Sequence, residues 1–349
     1  MKKALIISLN FRAAHVSHLV ASYQQLKELG YEPYCYVHPD FIRFLPLNIN
    51  FITTLKNIKE IDLSIFWFPS VKNIREMINL KLTKKSKIIY VYHEPFENFS
   101  AYLNSGNSLF WTIKFYIKYL VGLSFLPLVN SIILPSKKAI LLYKKRFCSI
   151  INPNFHYLPL MYSDESNNKI LNKPRKFISY IGGISKDHAF PEFIDFIYNA
   201  YINNMLRGFK FLIASWRKVE KDERIEEMEK ANILEIFDGK PMTDDEINDH
   251  YASSILVWNA YNRSTQSGVL AKAFMFGTPA IISRKNISEF IEDGKEVIAV
   301  ENNKDFAAIL EAVESIIHNF EYFSNNARKC FENNFFYKVH NTQMSNIIN

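Results

Sequence analysis

The sequence predicts an α/β protein made of two successive doubly wound arrays of parallel strands. Three observations carry this. Apolar strand-like runs alternate with amphipathic helical segments from end to end. The runs are continuous rather than alternating, as strands covered on both faces are. The chain has 349 residues, more than the roughly 250 to 300 that one core usually serves. Hydrophobic residues make up 48% and charged residues 22%, which excludes wholesale disorder, and only 10 glycines exclude collagenous or glycine-linker architectures.

In the first array ALIISL (4–9) is a strand, HLVASYQQLKELG (18–30) a helix and YEPYCYVH (31–38) the next strand. Gly30 stands where a left-handed residue closes the helix. DLSIFWF (62–68) and KIIYVYH (87–93) are buried parallel strands. The opening Met1-Lys2-Lys3 and its short apolar run lack the length and the small-residue cleavage site of a secretion signal. Residues 119–136 are uncharged and near the lower limit for a membrane span. Pro127 and Asn130 interrupt that stretch, so SIIL (131–134), followed by Pro135-Ser136 and a lysine-rich helix, reads as another buried strand. The polar, Asn/Pro/Ser-rich residues 152–175 set a boundary near residue 168, giving domains 1–168 and 169–332. An aromatic C-terminal helix of about 333–349 is expected to pack back onto the first.

The second array restarts the alternation. KFISYIGG (176–183) is a strand, Pro191 opens a helix to Arg207, FKFLIAS (209–215) is a strand and ERIEEMEKA (223–231) a helix. NILEIFDG (232–239) is a strand, TDDEINDHYAS (243–253) a capped helix and ILVWNAY (255–261) a strand. A helix from Gly268 to Phe276, the strand PAIIS (279–283), a helix around SEFIE (288–292), the strand VIAV (297–300) and the long helix DFAAILEAVESIIHN (305–319) complete it. In such sheets ligands sit at the carboxyl ends of the strands and in the cleft between domains.

Charge is unevenly placed. Residues 1–168 hold 20 Lys+Arg against 10 Asp+Glu, and the remainder 22 against 25. A basic module points to a polyanion, or is a solvated lysine face. The basic residues are not set in a nucleic-acid recognition motif, so no nucleic-acid partner is expected. Three cysteines without a CxxC pair argue for a reducing compartment and against a disulfide framework. Nine scattered histidines without HExxH spacing, and acids that merely open a helix at 243–246, give no metal site.

A diphosphate needs close backbone approach at a helix start. The loop Asn10-Phe11-Arg12-Ala13-Ala14-His15 after the first strand has no glycine, so no dinucleotide fingerprint sits there. The second array offers Gly182-Gly183-Ile184-Ser185-Lys186-Asp187-His188 and Asn262-Arg263-Ser264-Thr265-Gln266-Ser267-Gly268. Ser267, Gly268 and Val269 would present backbone amides and a helix dipole, the Ser267 hydroxyl another donor, and Arg263 or Lys186 the counter-charge. The alternative is an ordinary serine-capped helix start.

These residues carry a resemblance. LVWNAYNRSTQSGVLAKAFMFGTPAIIS (256–283) with SEFIEDGKEVIAV (288–300), preceded by IGGISKDH (181–188) and FDGKPMTDDEINDHYASS (237–254), resembles the nucleotide-sugar-binding region of the group 1 (family 4-like) glycosyltransferases, in the branch with a TQSG turn. The resemblance implies a GT-B fold, two Rossmann-like domains with an interdomain cleft. It also implies retaining, metal-independent transfer from a nucleotide-sugar donor, with no cofactor besides that substrate. A lipid-linked glycan acceptor of surface polysaccharide synthesis is expected and fits the basic first domain.

The resemblance also assigns residues. His93, in YVYHEPF at a strand end, takes the catalytic side, hydrogen bonding the donor sugar, and Glu94 beside it is a general base or a solvated loop carboxylate. RAAHVSH (12–18) replaces the family's glycine-rich first loop, with Arg12, Ala14, His15 and His18 as acceptor-side candidates. The family's arginine falls on Gly183 and its lysine on His188 or Lys186. Its two glutamates fall on Ser264 and Lys272, neither of which can act as a carboxylate. A lysine at 272 would meet a phosphate or face solvent. Gln266 and Glu289 are further donor contacts. With both glutamates replaced, a non-catalytic binding or assembly protein and a nucleotide-sugar epimerase on the same fold stay as alternatives.

Residues 107–122 form an amphipathic helix with Trp111, Phe115 and Tyr119 on one side and Lys114 and Lys118 on another. With Lys84, Lys85, Lys87, Lys144, Lys145 and Arg146 they suggest contact with an anionic membrane surface, hence a cytoplasmic protein peripheral to the inner face of the membrane. The alternative is a core helix with ordinary lysines.

Overall fold

The structure, a computed structural model, describes residues 1–55, 58, 60–67, 70–93, 95–147, 154–166, 173–264 and 266–349. The chain divides into two compact units, Met1–Ser163 with Phe335–Asn349, and Asp164–Asn334.

The first unit holds strands β1 (Lys2–Ser8), β2 (Tyr31–Val37), β3 (Phe51–Ile52), β4 (Leu63–Trp67), β5 (Lys87–Val91), β6 (Ser131–Leu134) and β7 (Asn154–Tyr157). They form one parallel sheet in the order β3-β2-β1-β4-β5-β6-β7. Its helices are α1 (Val16–Glu28), α2 (Val71–Thr83), α3 (Phe99–Asn104), α4 (Leu109–Phe125) and α5 (Lys137–Phe147). Continuous burial along β4 and β6 is what their unbroken apolar sequences predict for strands covered on both faces. The core joins Leu5, Ile7, Phe66, Ile88, Tyr90, Ile132 and Leu134 of the sheet to Met77 and Leu80 of α2. Gly30 takes φ +84° just past α1, so the chain turns directly into β2 at little steric cost.

The C-terminal segment belongs to this unit. The amide of Tyr162 donates to Phe335 O (2.9 Å) and that of Tyr337 to Tyr162 O (3.0 Å). Gln25 Nε2 of α1 donates to Tyr337 O (3.1 Å), and Tyr337 Oη donates to Glu28 Oε1 (2.7 Å).

The second unit is a six-stranded parallel sheet in the order β10-β9-β8-β11-β12-β13. Its strands are β8 (Phe177–Ile181), β9 (Lys210–Ala214), β10 (Leu234–Phe237), β11 (Ser254–Asn259), β12 (Ala280–Ser283) and β13 (Val297–Val300). Helices Phe190–Ile202 and Phe306–His318 pack their apolar faces, Phe193, Phe196 and Ile197 with Ile309, Val313 and Ile316, around Trp258 and Ile178. Thr243 caps the helix Asp244–Ala252 in a full capping box with Glu246, as T-x-x-E at a helix start requires. Arg175, mostly buried, donates to Ser254 O (2.9 Å) and Thr278 Oγ1 (2.6 Å), and burial lowers its pKa to about 10.

One expected element is absent. The helix read around residues 288–292 is a loop, and the short 3-10 turn Arg284–Asn286 precedes it. The acids there bind loop amides instead: Glu292 N donates to Glu296 Oε1 (2.6 Å) and Ala299 N to Asp293 Oδ1 (2.8 Å) around Gly294 at φ +82°. Local side chain to backbone bonds of this kind compete with helix formation.

In each sheet the strand order reverses once, between β1 and β4 in the first unit and between β8 and β11 in the second. Each reversal opens a crevice at the carboxyl ends of the two strands.

Candidate functional site

In the second unit the crevice between β8 and β11 is framed by the two loops that the sequence singled out, 182–189 and 260–267. They are bonded to each other. The amides of Asn262 (2.8 Å) and Arg263 (3.2 Å) donate to Asp187 O, and Asn262 Nδ2 donates to Lys186 O (2.8 Å). Within the first loop the Gly183 carbonyl accepts from Tyr180 Oη (2.8 Å) and His188 Nδ1 (2.8 Å), so His188 carries its proton on Nδ1. Its ring stacks on Tyr261 at 4.4 Å and 21°. Gly182 takes φ +133°, and an added Cβ there would be in van der Waals contact, at 3.4 Å, with Val269 Cγ2 of the helix Gly268–Met275. The backbone conformation therefore requires glycine there.

Helix Gly268–Met275 begins at the crevice. Its N-cap residue is Ser267, whose hydroxyl does not cap the helix; it accepts from Asn259 Nδ2 at 2.8 Å. The Tyr261 hydroxyl is buried, and burial pushes its pKa up. The positive end of a helix dipole is thus directed at a crevice whose hydroxyl and amide side chains are fixed by one another. Lys186 is exposed, Arg263, Ser264, Gly268 and Val269 are half-buried, and Gln266 is buried. Glu289 is exposed in the loop after β12, which Asn286 Nδ2 ties to Tyr261 O (2.7 Å).

Lys272 departs from the expectation that it meets a phosphate or faces solvent. Its side chain is 7% exposed, and Nζ lies 2.6 Å from Glu165 Oε2 and 3.5 Å from Asp244 Oδ1. Glu165 also accepts from Asn248 Nδ2 (2.9 Å). A lysine on the second turn of an apolar helix can be buried only with partners. Two carboxylates distant in sequence provide them, and no spacing in the sequence shows that.

In the first unit the crevice between β1 and β4 gathers histidines. The glycine-free loop turns through the 3-10 segment Ala13–His15 into α1, placing Ala14 in that turn, His15 and His18 inside, and Arg12 on the surface. His15 is pushed well below the ordinary histidine range, by burial first and then by the charges of Arg12, His18 and His93, so it is neutral at pH 7. His93 is half-buried just past β5. His18, an acceptor-side candidate, is buried: Nδ1 bonds Met161 O (3.1 Å), Tyr162 Oη donates to Nε2 (3.5 Å), and the ring stacks on Trp67 at 5.4 Å and 5°. It holds α1 against β4 and the 158–163 segment. Glu94 lies outside the described residues, as does Thr265. Among the described residues no group of three His, Cys, Asp or Glu side chains is placed to hold a metal.

The sequence reading missed Tyr261 and Asn259, and also Trp216 with Arg217 at the end of β9. Trp216 is 53% exposed, its indole nitrogen would be 3.8 Å from a Cβ on Gly183, and Arg217 lies over its ring at 4.9 Å while donating to Ile184 O. An exposed tryptophan followed by arginine at a strand's carboxyl end was the available signal.

Residues 175–319 match the family model of the group 1 glycosyl transferases. None of the curated proteins matches the chain significantly. Among solved structures the chain is similar to sucrose-phosphate synthase from Thermosynechococcus elongatus, with TM-score 0.69 and 12% identity over 99% of this chain and 98% of that one. It is similar to Anabaena HepE in complex with UDP-glucose, with TM-score 0.69 and 10% identity over 100% and 99%. It is also similar to WaaG, a glycosyltransferase involved in lipopolysaccharide biosynthesis, with TM-score 0.68 and 13% identity over 99% of each chain. These findings bear out the GT-B fold and, over residues 175–319, the resemblance to the group 1 glycosyltransferases.

Proposed function

We propose that the protein transfers a sugar from a nucleotide sugar to a hydroxyl of a glycan acceptor carried on a lipid, with retention of configuration and without a metal. The observation that carries this reading is the β8/β11 crevice. A helix start whose serine does not cap it faces two loops bonded into one frame, and Gly182 brings the backbone against Val269. The HepE structure holds UDP-glucose, which supports a nucleoside diphosphate sugar as donor here.

In this reading the protein acts mainly on the leaving group. Departure of the sugar leaves negative charge on the diphosphate, and the amides at Ser267, Gly268 and Val269, with the cations of Lys186 and Arg263, lower its energy. Oriented dipoles do this without reorganising during the reaction. His188, its Nδ1 proton committed to Gly183 O, keeps its ring stacked on Tyr261 as a rigid wall of the crevice. Gln266 and Glu289 contact the nucleotide or sugar, and His93 hydrogen bonds the donor sugar, in line with the resemblance at YVYHEPF. His15, kept neutral by burial, adds no positive charge to the first unit's crevice.

The test is acceptor-dependent consumption of a nucleotide sugar with membrane lipid extracts as acceptor. His93→Ala should lower turnover at least about a hundredfold, the usual scale of a lost transition-state contact. Binding of nucleotide sugar without transfer to any extract would leave a binding or assembly protein, and conversion of the donor without an acceptor would leave an epimerase.

A further inference from the structure

Helix α4 leaves most of its surface unpacked. Thr112, Tyr119 and Gly122 form the stripe that faces the first unit, and Tyr119 joins the core with Phe96 and Tyr102. At 100° per residue, Leu109, Phe110, Ile113, Ile117 and Leu120 fall on one adjoining face. They are exposed by 59%, 70%, 43%, 54% and 44%. Lys114 and Lys118 follow along one edge of that face, where Lys114 Nζ lies 4.4 Å from the Trp111 ring centroid and Lys118 Nζ 5.5 Å from that of Phe115. Large aliphatic and aromatic side chains this exposed on one helix mark an interaction surface rather than scattered surface hydrophobics.

We propose that this face of α4 docks in the interfacial layer of an anionic lipid bilayer, with the helix lying in the plane of the membrane. Charge selects the occupant. From 98 to 163 the chain has seven Lys or Arg and no Asp or Glu. Lysines at the border of an apolar stripe, extending along aromatic rings, are suited to reach lipid phosphates while the stripe enters the acyl boundary. Residues Leu109–Leu128 are long and apolar enough to cross a membrane, but the stripe of Thr112, Tyr119 and Gly122 already belongs to the folded unit, and a crossing would expel it. Because α4 enters β6 from the amino end of that parallel strand, its own first turn, with Phe110 and Trp111, stands at the carboxyl end of the sheet, where His93 is. A lipid-borne acceptor would therefore arrive on the functional side. The docking stands independently of the donor site, and its failure leaves that site untouched.

The test is flotation of the full chain with phosphatidylcholine vesicles, with and without phosphatidylglycerol. The expected result is co-flotation only with the anionic vesicles, weakened by salt, and at least tenfold less bound protein for Phe110→Asp/Ile117→Asp with an unchanged melting curve. Trp111 emission should shift to the blue on addition of anionic vesicles, and the shift should vanish in Trp111→Phe. No flotation of the wild type overturns the proposal. So does flotation indifferent to lipid charge and resistant to alkaline extraction, which would mean a membrane span. A dimer that Phe110→Asp/Ile117→Asp turns into a monomer, with flotation unaltered, also overturns it, since the face would then cover a second copy.

Discussion

Replacing Lys272 by methionine separates a structural lysine from a ligand-binding one. Methionine keeps the length of the chain and removes the cation that stands 2.6 Å from Glu165 and 3.5 Å from Asp244. Removing one partner of a buried ion pair costs about 3–5 kcal/mol, because the other charge stays buried without compensation. Glu165 and Asp244 keep 19% and 35% of their side-chain surface, so solvent screens part of the loss and the lower end applies, about 3 kcal/mol. In a domain of this size that is a fall in Tm of about 6–12 °C. The effect depends on pH. Burial already holds the Asp244 carboxyl above its usual range, with Lys272 opposing and Glu165 adding to the shift. A carboxyl raised in the fold stabilises it below the unfolded pKa, and that contribution is lost as pH rises through the folded value. Without Lys272 the carboxyl rises further, so the Tm deficit should be larger near pH 7 than near pH 5. Thermal melts at the two pH values measure this, and adding Glu165→Gln to the Lys272→Met variant should recover part of the loss. A variant that melts like the wild type but no longer binds donor would refute the assignment and return Lys272 to the ligand.

Gly182→Ala should cost about 1–3 kcal/mol, the scale of a residue forced into a glycine-only conformation, and a thermal melt reads it. His15 titrates below the ordinary histidine range, so its neutral form contributes stability above the unfolded pKa that is lost as pH falls through about 6.5 toward the folded value, at up to about 1.4 kcal/mol per pH unit. Denaturant melts from neutral to mildly acidic pH should show that slope flattened in His15→Gln; an unchanged slope would mean that other groups set it. Transfer should continue at the same rate after chelator treatment, and loss of activity restored by a divalent cation would contradict the metal-free mechanism.

The fold was legible because both sheets are parallel and their inner strands are buried on both faces. LSIFW, SIIL and SILVWN need no partner information to read as strands, and their alternation with helices leaves few topologies. The helix expected at 288–292 failed because Asp293, Glu296 and Gly294 build a loop through side chain to backbone bonds, and periodicity does not register these. At the site, glycines and the serine before a helix mark two loops that the fold brings into contact. Lys272 is buried where a phosphate or solvent was expected, and it and His18 both bond to buried partners, because burial inverts what a polar side chain seeks. Their partners, Glu165, Asp244, Met161 and Tyr162, are supplied by tertiary contacts over a hundred residues away for all but Asp244. Tyr261 and Asn259 were overlooked because in a strand sequence they look like packing residues.

The central claim is that the β8/β11 crevice binds the diphosphate of a nucleotide sugar, and calorimetric titration of nucleoside diphosphates and their sugars into wild type and Ser267→Asp tests it most directly. Aspartate is a good N-cap, so the variant should fold at least as stably, yet its charge at the helix start would repel a diphosphate. At least one nucleotide is expected to bind the wild type and to bind the variant at least tenfold more weakly. Equal affinity for both proteins would contradict it.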